Sequence, residues 1–264
     1  MLYAPPGSKW WKPNLYMVSI GIADYPLNTL KLNYTDDDAS AMSELFRKQE
    51  GKLFNKVVVK ELYDQAATRV NIIDALEWLQ QQTTQHDVAV IFIAAHGYNQ
   101  KKNYYLLPVD GNPEKLLSTA VDWSIFVKVL GNLPSRVLFF LDSCYSGQLG
   151  ADVLAKVFPR GGDTDNTEAI RELASDEYGV VILAASTGKE IAVELDELQH
   201  GAFTQALLDG MDEGRADLTL DNIIYLRELD YYISERVKEL TNGEQHPTTL
   251  KPSTISRFPV VQVK

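Results

Sequence analysis

The 264-residue sequence is short of cysteine, of basic charge and of long apolar runs, and each shortage closes off a class of protein. Cys144 is the single cysteine, so no intramolecular disulfide and no zinc cage built of cysteines can form. The longest apolar run, Val88 to Ala95, is eight residues, far below the ~20 that a helix needs to cross a bilayer. Residues 15–23, LYMVSIGIA, follow Lys9 and Lys12 and faintly mimic a signal peptide. They read better as a first core strand. Lys and Arg number 25 against 36 Asp and Glu, a net charge of −11. Nucleic acids and anionic membrane surfaces call for the opposite sign. A basic partner is attracted only where the acids cluster. No G-x-G-x-x-G or phosphate-cradling loop follows the first strand, which sets aside a nucleotide- or flavin-binding role.

What is present is a core. Hydrophobic residues make up 45% of the chain and aromatics 10%, enough for one large α/β domain spanning residues 1–264. Strand-length apolar runs alternate with helix-period segments. Leu15–Ala23, Lys56–Leu62, Asp87–Ala95, Arg136–Leu141, Val180–Ala185 and Phe258–Val263 read as six strands. Asp87–Ala95 and Arg136–Leu141 are apolar throughout, the mark of strands covered on both faces. Helices are expected over Thr35–Gln49 (capped by Thr35 or a neighbouring Asp), after the cap Thr68, over 120–130, 201–212 and 222–240. In the second of these, Val70, Ile73, Leu76 and Leu79 form the expected buried stripe. A short β-excursion is expected near Tyr104–Val109. The alternation implies a mostly parallel sheet between two layers of helices. The stretch from Tyr145 to about Tyr178 has no assignable element, and a loop that long in a compact domain usually has a function.

Ligands of parallel α/β sheets bind beyond the carboxyl ends of the strands. His96 follows the third strand and Cys144 the fourth. If those strands are neighbours, about 4.8 Å apart, the two side chains enter one crevice. A thiol and an imidazole there make a nucleophile and its base, because the thiolate attacks and the imidazole moves the proton. The backbone N–H groups of Gly97 and Cys144 are candidate oxyanion donors. The bland alternatives are a buried apolar cysteine and a structural histidine.

The segments IFIAAHGY around His96 and FFLDSCYSG around Cys144 resemble the caspase-like cysteine proteases, in particular metacaspases and their prokaryotic relatives, the orthocaspases. Forty-eight positions separate the two residues, close to the roughly 50 found in caspases. NYTDDDASAM, LAASTGKEIAVE and HGAFTQALL extend the resemblance from about Leu15 to Val263. It implies a three-layer sandwich around a six-stranded, mostly parallel sheet. It also implies a large-subunit-like part (about 1–160), an activation loop (about 145–178) and a small-subunit-like part (about 179–264). Asp142 stands two residues before Cys144, where metacaspases carry an acid, and Asp38 matches their other acidic pocket position. The resemblance therefore implies cleavage after Arg or Lys, which two carboxylates would recognise. The alternative for Asp36, Asp37 and Asp38 is that they merely favour the positive end of the following helix. Tyr145 replaces the histidine common after the metacaspase cysteine.

His200, His246 and His86 read as structural or surface residues. The acids Asp163, Asp165, Glu168, Glu172, Asp176 and Glu177 suit either a solvated loop or calcium, on which metacaspases often depend, but no EF-hand spacing is present. No metal or cofactor is expected to be required. Family members are commonly switched by a cut between the cysteine-bearing part and the rest. Arg160 in FPRGGDTD is the expected site, with Lys156 and Arg171 behind it. The expected protein is a cytoplasmic, monomeric zymogen acting on protein substrates in cell-death or antiviral signalling, switched by itself or an upstream protease. The alternative is an inactive caspase-like binding module, against which the presence of both His96 and Cys144 speaks.

Overall fold

The computed structural model describes residues 12–100, 103–143, 171, 173–176, 179–186, 192–255 and 257–264. A six-stranded sheet forms its middle, in the order β12-β8-β7-β3-β1-β2. Its strands are β1 (Leu15–Gly21), β2 (Val57–Tyr63), β3 (Val88–Ala94), β7 (Arg136–Asp142), β8 (Val180–Ala184) and β12 (Thr248–Leu250). The first five run parallel, and β12 closes one edge antiparallel to β8. Every residue of β3 is buried, as the unbroken apolar run requires of a strand covered on both sides.

Alternate residues of the strands feed two cores. Ala89, Ile91 and Ile93 of β3 pack with α2 (Arg69–Gln82) and α4 (Trp123–Leu130). Val90 and Phe92 face α1 (Thr35–Arg47), α5 (Ala202–Met211) and α6 (Leu226–Leu240) through Met42, Phe46, Phe203 and Leu229. Each such large side chain, fully buried, contributes about 1.5–3 kcal/mol. Trp123, Phe126 and Phe139 stack on one another, and Tyr104 meets the Trp123 ring edge-on at 5.3 Å. The expected β-excursion is a three-stranded antiparallel sheet of β4 (Gly97–Gln100), β5 (Asn103–Leu106) and β6 (Val121–Asp122). It begins immediately after His96. A short helix, α3 (Leu116–Thr119), leads into β6.

Several local expectations are corrected. Phe258–Val263 does contain a strand, β13 (Pro259–Gln262), but it pairs with β11 (Ile223–Tyr225) outside the main sheet. The sixth place belongs to β12. Tyr34, not Thr35 or an Asp, is the N-cap of α1 and makes no side-chain cap. Thr68 caps α2 as expected, its hydroxyl accepting from Asn71 N–H. The buried stripe of that helix is Ile72, Ala75, Leu76 and Leu79, while Val70 is exposed. Most of the expected activation loop, 145–178, lies outside the described residues; of those described, Leu173 and Ala174 are buried in the same core as α2. Among the described residues no helix is long and apolar enough to cross a membrane.

Candidate active site

The neighbouring parallel strands β3 and β7 end on the same side of the sheet, and a candidate residue stands just beyond each. The register sets Ala94 of β3 opposite Asp142 of β7. Two residues beyond Ala94 stands His96. Two residues beyond Asp142 comes Cys144, which lies outside the described residues.

His96 is only 4% exposed. Its Nε2 lies 2.7 Å from the carbonyl oxygen of Leu30, and a carbonyl can only accept, so Nε2 carries the proton. The neutral ring then presents a bare lone pair at Nδ1. That atom is buried and has no hydrogen-bond partner among the described residues. Tyr25 and Tyr98 flank the ring, with centroids at 5.0 and 6.3 Å. The Tyr25 hydroxyl accepts from the His96 backbone N–H and donates to Leu107 O. Burial pushes the imidazole down to about 4, so it is neutral near pH 7. A buried, unsatisfied acceptor is rare in folded proteins and calls for a reason. An atom waiting for a proton is one.

Asp38 and Asp142 do come together. Asp38 sits in the first turn of α1 and is buried, whereas Asp37 is exposed and Asp36 half-buried. Asp36 and Asp37 thus keep the helix-end role. The Asp38 and Asp142 carboxylates converge on Gly201. The point where a Gly201 side chain would begin lies 3.1 Å from Oδ2 of each, which holds those oxygens within about 6 Å of one another. Burial, and then the charge of Asp38, raises the pKa of Asp142. Burial likewise raises that of Asp38, against the opposing effect of His200. Other buried acids are better supplied. Asp209 has the Arg236 guanidinium at 2.7 Å, and Asp87 and Glu228 each collect three or more donors. Among the described residues Asp142 is held by Thr204 alone, through its hydroxyl (2.8 Å) and backbone N–H. It has no cationic partner among the described residues.

A family profile described as the caspase domain matches residues 16–258. This chain belongs to the caspase-domain family. A paracaspase of Dictyostelium discoideum is 27% identical over 135 residues, 51% of this chain and 29% of that protein. The chain thus matches under a third of the curated relative's length. A crystal structure of a protein from Geobacter sulfurreducens superposes with a TM-score of 0.65 at 19% identity, covering 92% of this chain and 95% of that one. That likeness establishes a shared fold.

Within this caspase domain, sequence reasoning missed His200. Expected to open a helix, it lies instead in β10 (His200–Gly201), which pairs with β9 (Glu194–Leu195) as a hairpin. Its Nδ1 is 2.6 Å from Asp38 Oδ1, and Asp38 accordingly raises its pKa. The Gly201 N–H donates to Asp38 Oδ2 at 3.1 Å. Glu194 accepts from the backbone and side chain of Asn33, tying the hairpin to the segment before α1.

Tyr104 was also missed. Its hydroxyl lies 2.6 Å from Ser143 Oγ, beside Cys144 in sequence, and fills the space a side chain on Gly97 would need. One phenol therefore touches both the turn carrying His96 and the one leading to Cys144. Arg171 is helical and exposed. Arg160 and Lys156 lie outside the described residues. So do the loop acids, except Asp176, which accepts from Ser253. His86 and His246 are exposed, in keeping with surface positions.

Proposed function

We propose that this caspase domain is a cysteine endopeptidase that cuts proteins after Arg or Lys, with Cys144 as nucleophile and His96 as general base and acid. The unpartnered Nδ1 of a dry, neutral His96, next to the strand that leads to Cys144, carries the reading. In it Nδ1 accepts the thiol proton and the sulfur attacks the scissile carbonyl. The Gly97 and Cys144 N–H groups receive the oxyanion. Protonated at both nitrogens, the imidazolium leans on Leu30 O and then gives the Nδ1 proton to the departing amine. A water molecule, deprotonated by the same nitrogen, releases the acyl group from sulfur.

Asp142 supports the substrate class. A buried carboxylate without a cation is a place for one, and a guanidinium or ammonium before the scissile bond would supply it. The reaction needs no metal or cofactor, since thiol and imidazole exchange the proton between them. A reducing, cytoplasmic setting suits a lone catalytic thiol. We further propose that a cut at Arg160, by the enzyme itself or an upstream protease, activates the chain in a cell-death or antiviral cascade.

Peptides differing only in Arg, Lys or Asp before the scissile bond test this. The Arg and Lys peptides are expected to be cut more than tenfold faster than the Asp peptide, and Cys144→Ala to cut none. Intact masses of the incubated protein are expected to show a fragment ending at Arg160, absent from Cys144→Ala. Preference for Asp would overturn the pocket. Binding without turnover in the wild-type protein would favour an inactive binding module.

A further inference from the structure

Two buried carboxylates and one imidazole do not balance. His200 meets Asp38 at 2.6 Å and is about one-fifth exposed, while Asp142, within about 6 Å of Asp38, has only Thr204 among the described residues. We propose that His200 is a specificity-determining residue, the internal counter-cation that leaves the pocket short of one positive charge and so matches it to a single basic side chain. The proposal rests on the peptidase reading above and deepens it.

The geometry makes the match adjustable. The hairpin carrying His200 is fixed by Glu194 to Asn33 and by the Ala202 N–H to Val193 O, so the ring is held against Asp38. Among the described residues the other charged groups facing the ring and its partner are Asp37 of α1, Glu194 of β9 and Asp142 of β7. All are acidic. Imidazole is the one cation in this set, and it loses its charge within an accessible pH range. While His200 is protonated, a substrate cation competes with it for the field of the carboxylates. Once it is neutral, the same cation meets a pocket more negative by one charge and is held more tightly. The consequence falls on KM for basic substrates and leaves neutral ones untouched.

The test compares the wild type with His200→Gln, which keeps a donor toward Asp38, and His200→Lys, which keeps the charge at every working pH. Each is assayed from about pH 5.5 to 8.5 with an Arg peptide and with its neutral citrulline analogue. Wild-type KM for the Arg peptide is expected to fall about tenfold across that range. His200→Gln should lose the part of the step that the imidazole contributes, the remainder belonging to Asp38 and Asp142, whose pKa values burial raises. His200→Lys should stay high throughout, and KM for citrulline should follow neither variant. Equal rates of Cys144 alkylation by iodoacetamide establish that each variant is folded, independently of turnover. A wild-type pH curve reproduced unchanged by His200→Gln would overturn the proposal. So would a KM raised by Gln at every pH, which would make His200 a prop and not a charge. A wild-type enzyme that cuts citrulline as well as Arg would instead sink the pocket reading itself, before any variant is made.

Discussion

His96 and His200 both stand near the carboxyl ends of the parallel strands, and their surroundings drive them in opposite directions. His96 is enclosed by Tyr25, Tyr98 and one carbonyl, and burial holds its pKa down against the bond to Leu30. His200 is half-buried but touches a carboxylate, which raises its pKa. One side chain type thus takes opposite pKa shifts at the two positions, and environment alone decides which. On the peptidase reading proposed above, the contrast also separates rate from recognition, with groups around His96 bearing on proton transfer and groups around His200 on which substrate is held.

Substitution on each side sharpens that division. His96→Ala is expected to lower kcat about 10²–10⁴-fold with KM little changed, since general acid–base catalysis is worth that much. Asp142→Asn is expected to lower kcat/KM for Arg peptides at least tenfold while sparing the citrulline analogue. Equal losses on both substrates in Asp142→Asn would erase the distinction between the two regions.

Stability against pH offers a smaller effect of opposite sign at the two rings. The folded-state pKa of His96 is depressed from 6.5 to about 4. Its contribution is therefore intact above the unfolded value and is lost as pH falls toward 4. That of His200 is raised, so its contribution is present below the unfolded value and fades as pH climbs past the folded one. Thermal melts from about pH 4 to 9 should show His96→Phe flattening the acid side and His200→Gln part of the alkaline side, each by a few degrees.

The smallest expected effect is at Tyr104. Tyr104→Phe removes one hydrogen bond to Ser143, about 0.5–1.5 kcal/mol. It should slow turnover about 2–10-fold without altering the preference for Arg over citrulline. A shift in that preference would place Tyr104 with the recognition groups.

The central strands were legible because burial on both faces forces unbroken apolar runs, and β3 and β7 can be read from Val88–Ala94 and Arg136–Leu141 alone. That the two strands are neighbours stood only as a condition in the sequence, because a small sheet and two helices intervene between them, and the structure sets them side by side. β12 was not legible. Thr248–Leu250 is three residues with two threonines, and only its bonds to β8 make it a strand. Pro259–Gln262 carries the stronger local signal yet pairs with β11, because tertiary contacts choose among strands of similar propensity. On α2 the expected stripe was off at its start, since Val70 sits in the first turn, before the helix meets the sheet. The positions of Asp38, Asp142 and His96 could be read from their motifs. The role of His200 could not, because its partner is 162 positions away and a lone histidine beside a glycine carries no local pattern.

The sheet order has a mechanical consequence. β7 and β8 lie side by side, in register from Val137–Val180 to Leu141–Ala184, although a long stretch of sequence separates them. A cut in that stretch would break the covalent path without parting a single rung of the ladder. Phe140 and Leu183 would stay in one core and Phe139 and Ile182 in the other. A nicked molecule would therefore behave as two interlocked polypeptides that separate only when the sheet itself unravels. His96 and Asp142 would remain on one of them, and His200 on the other.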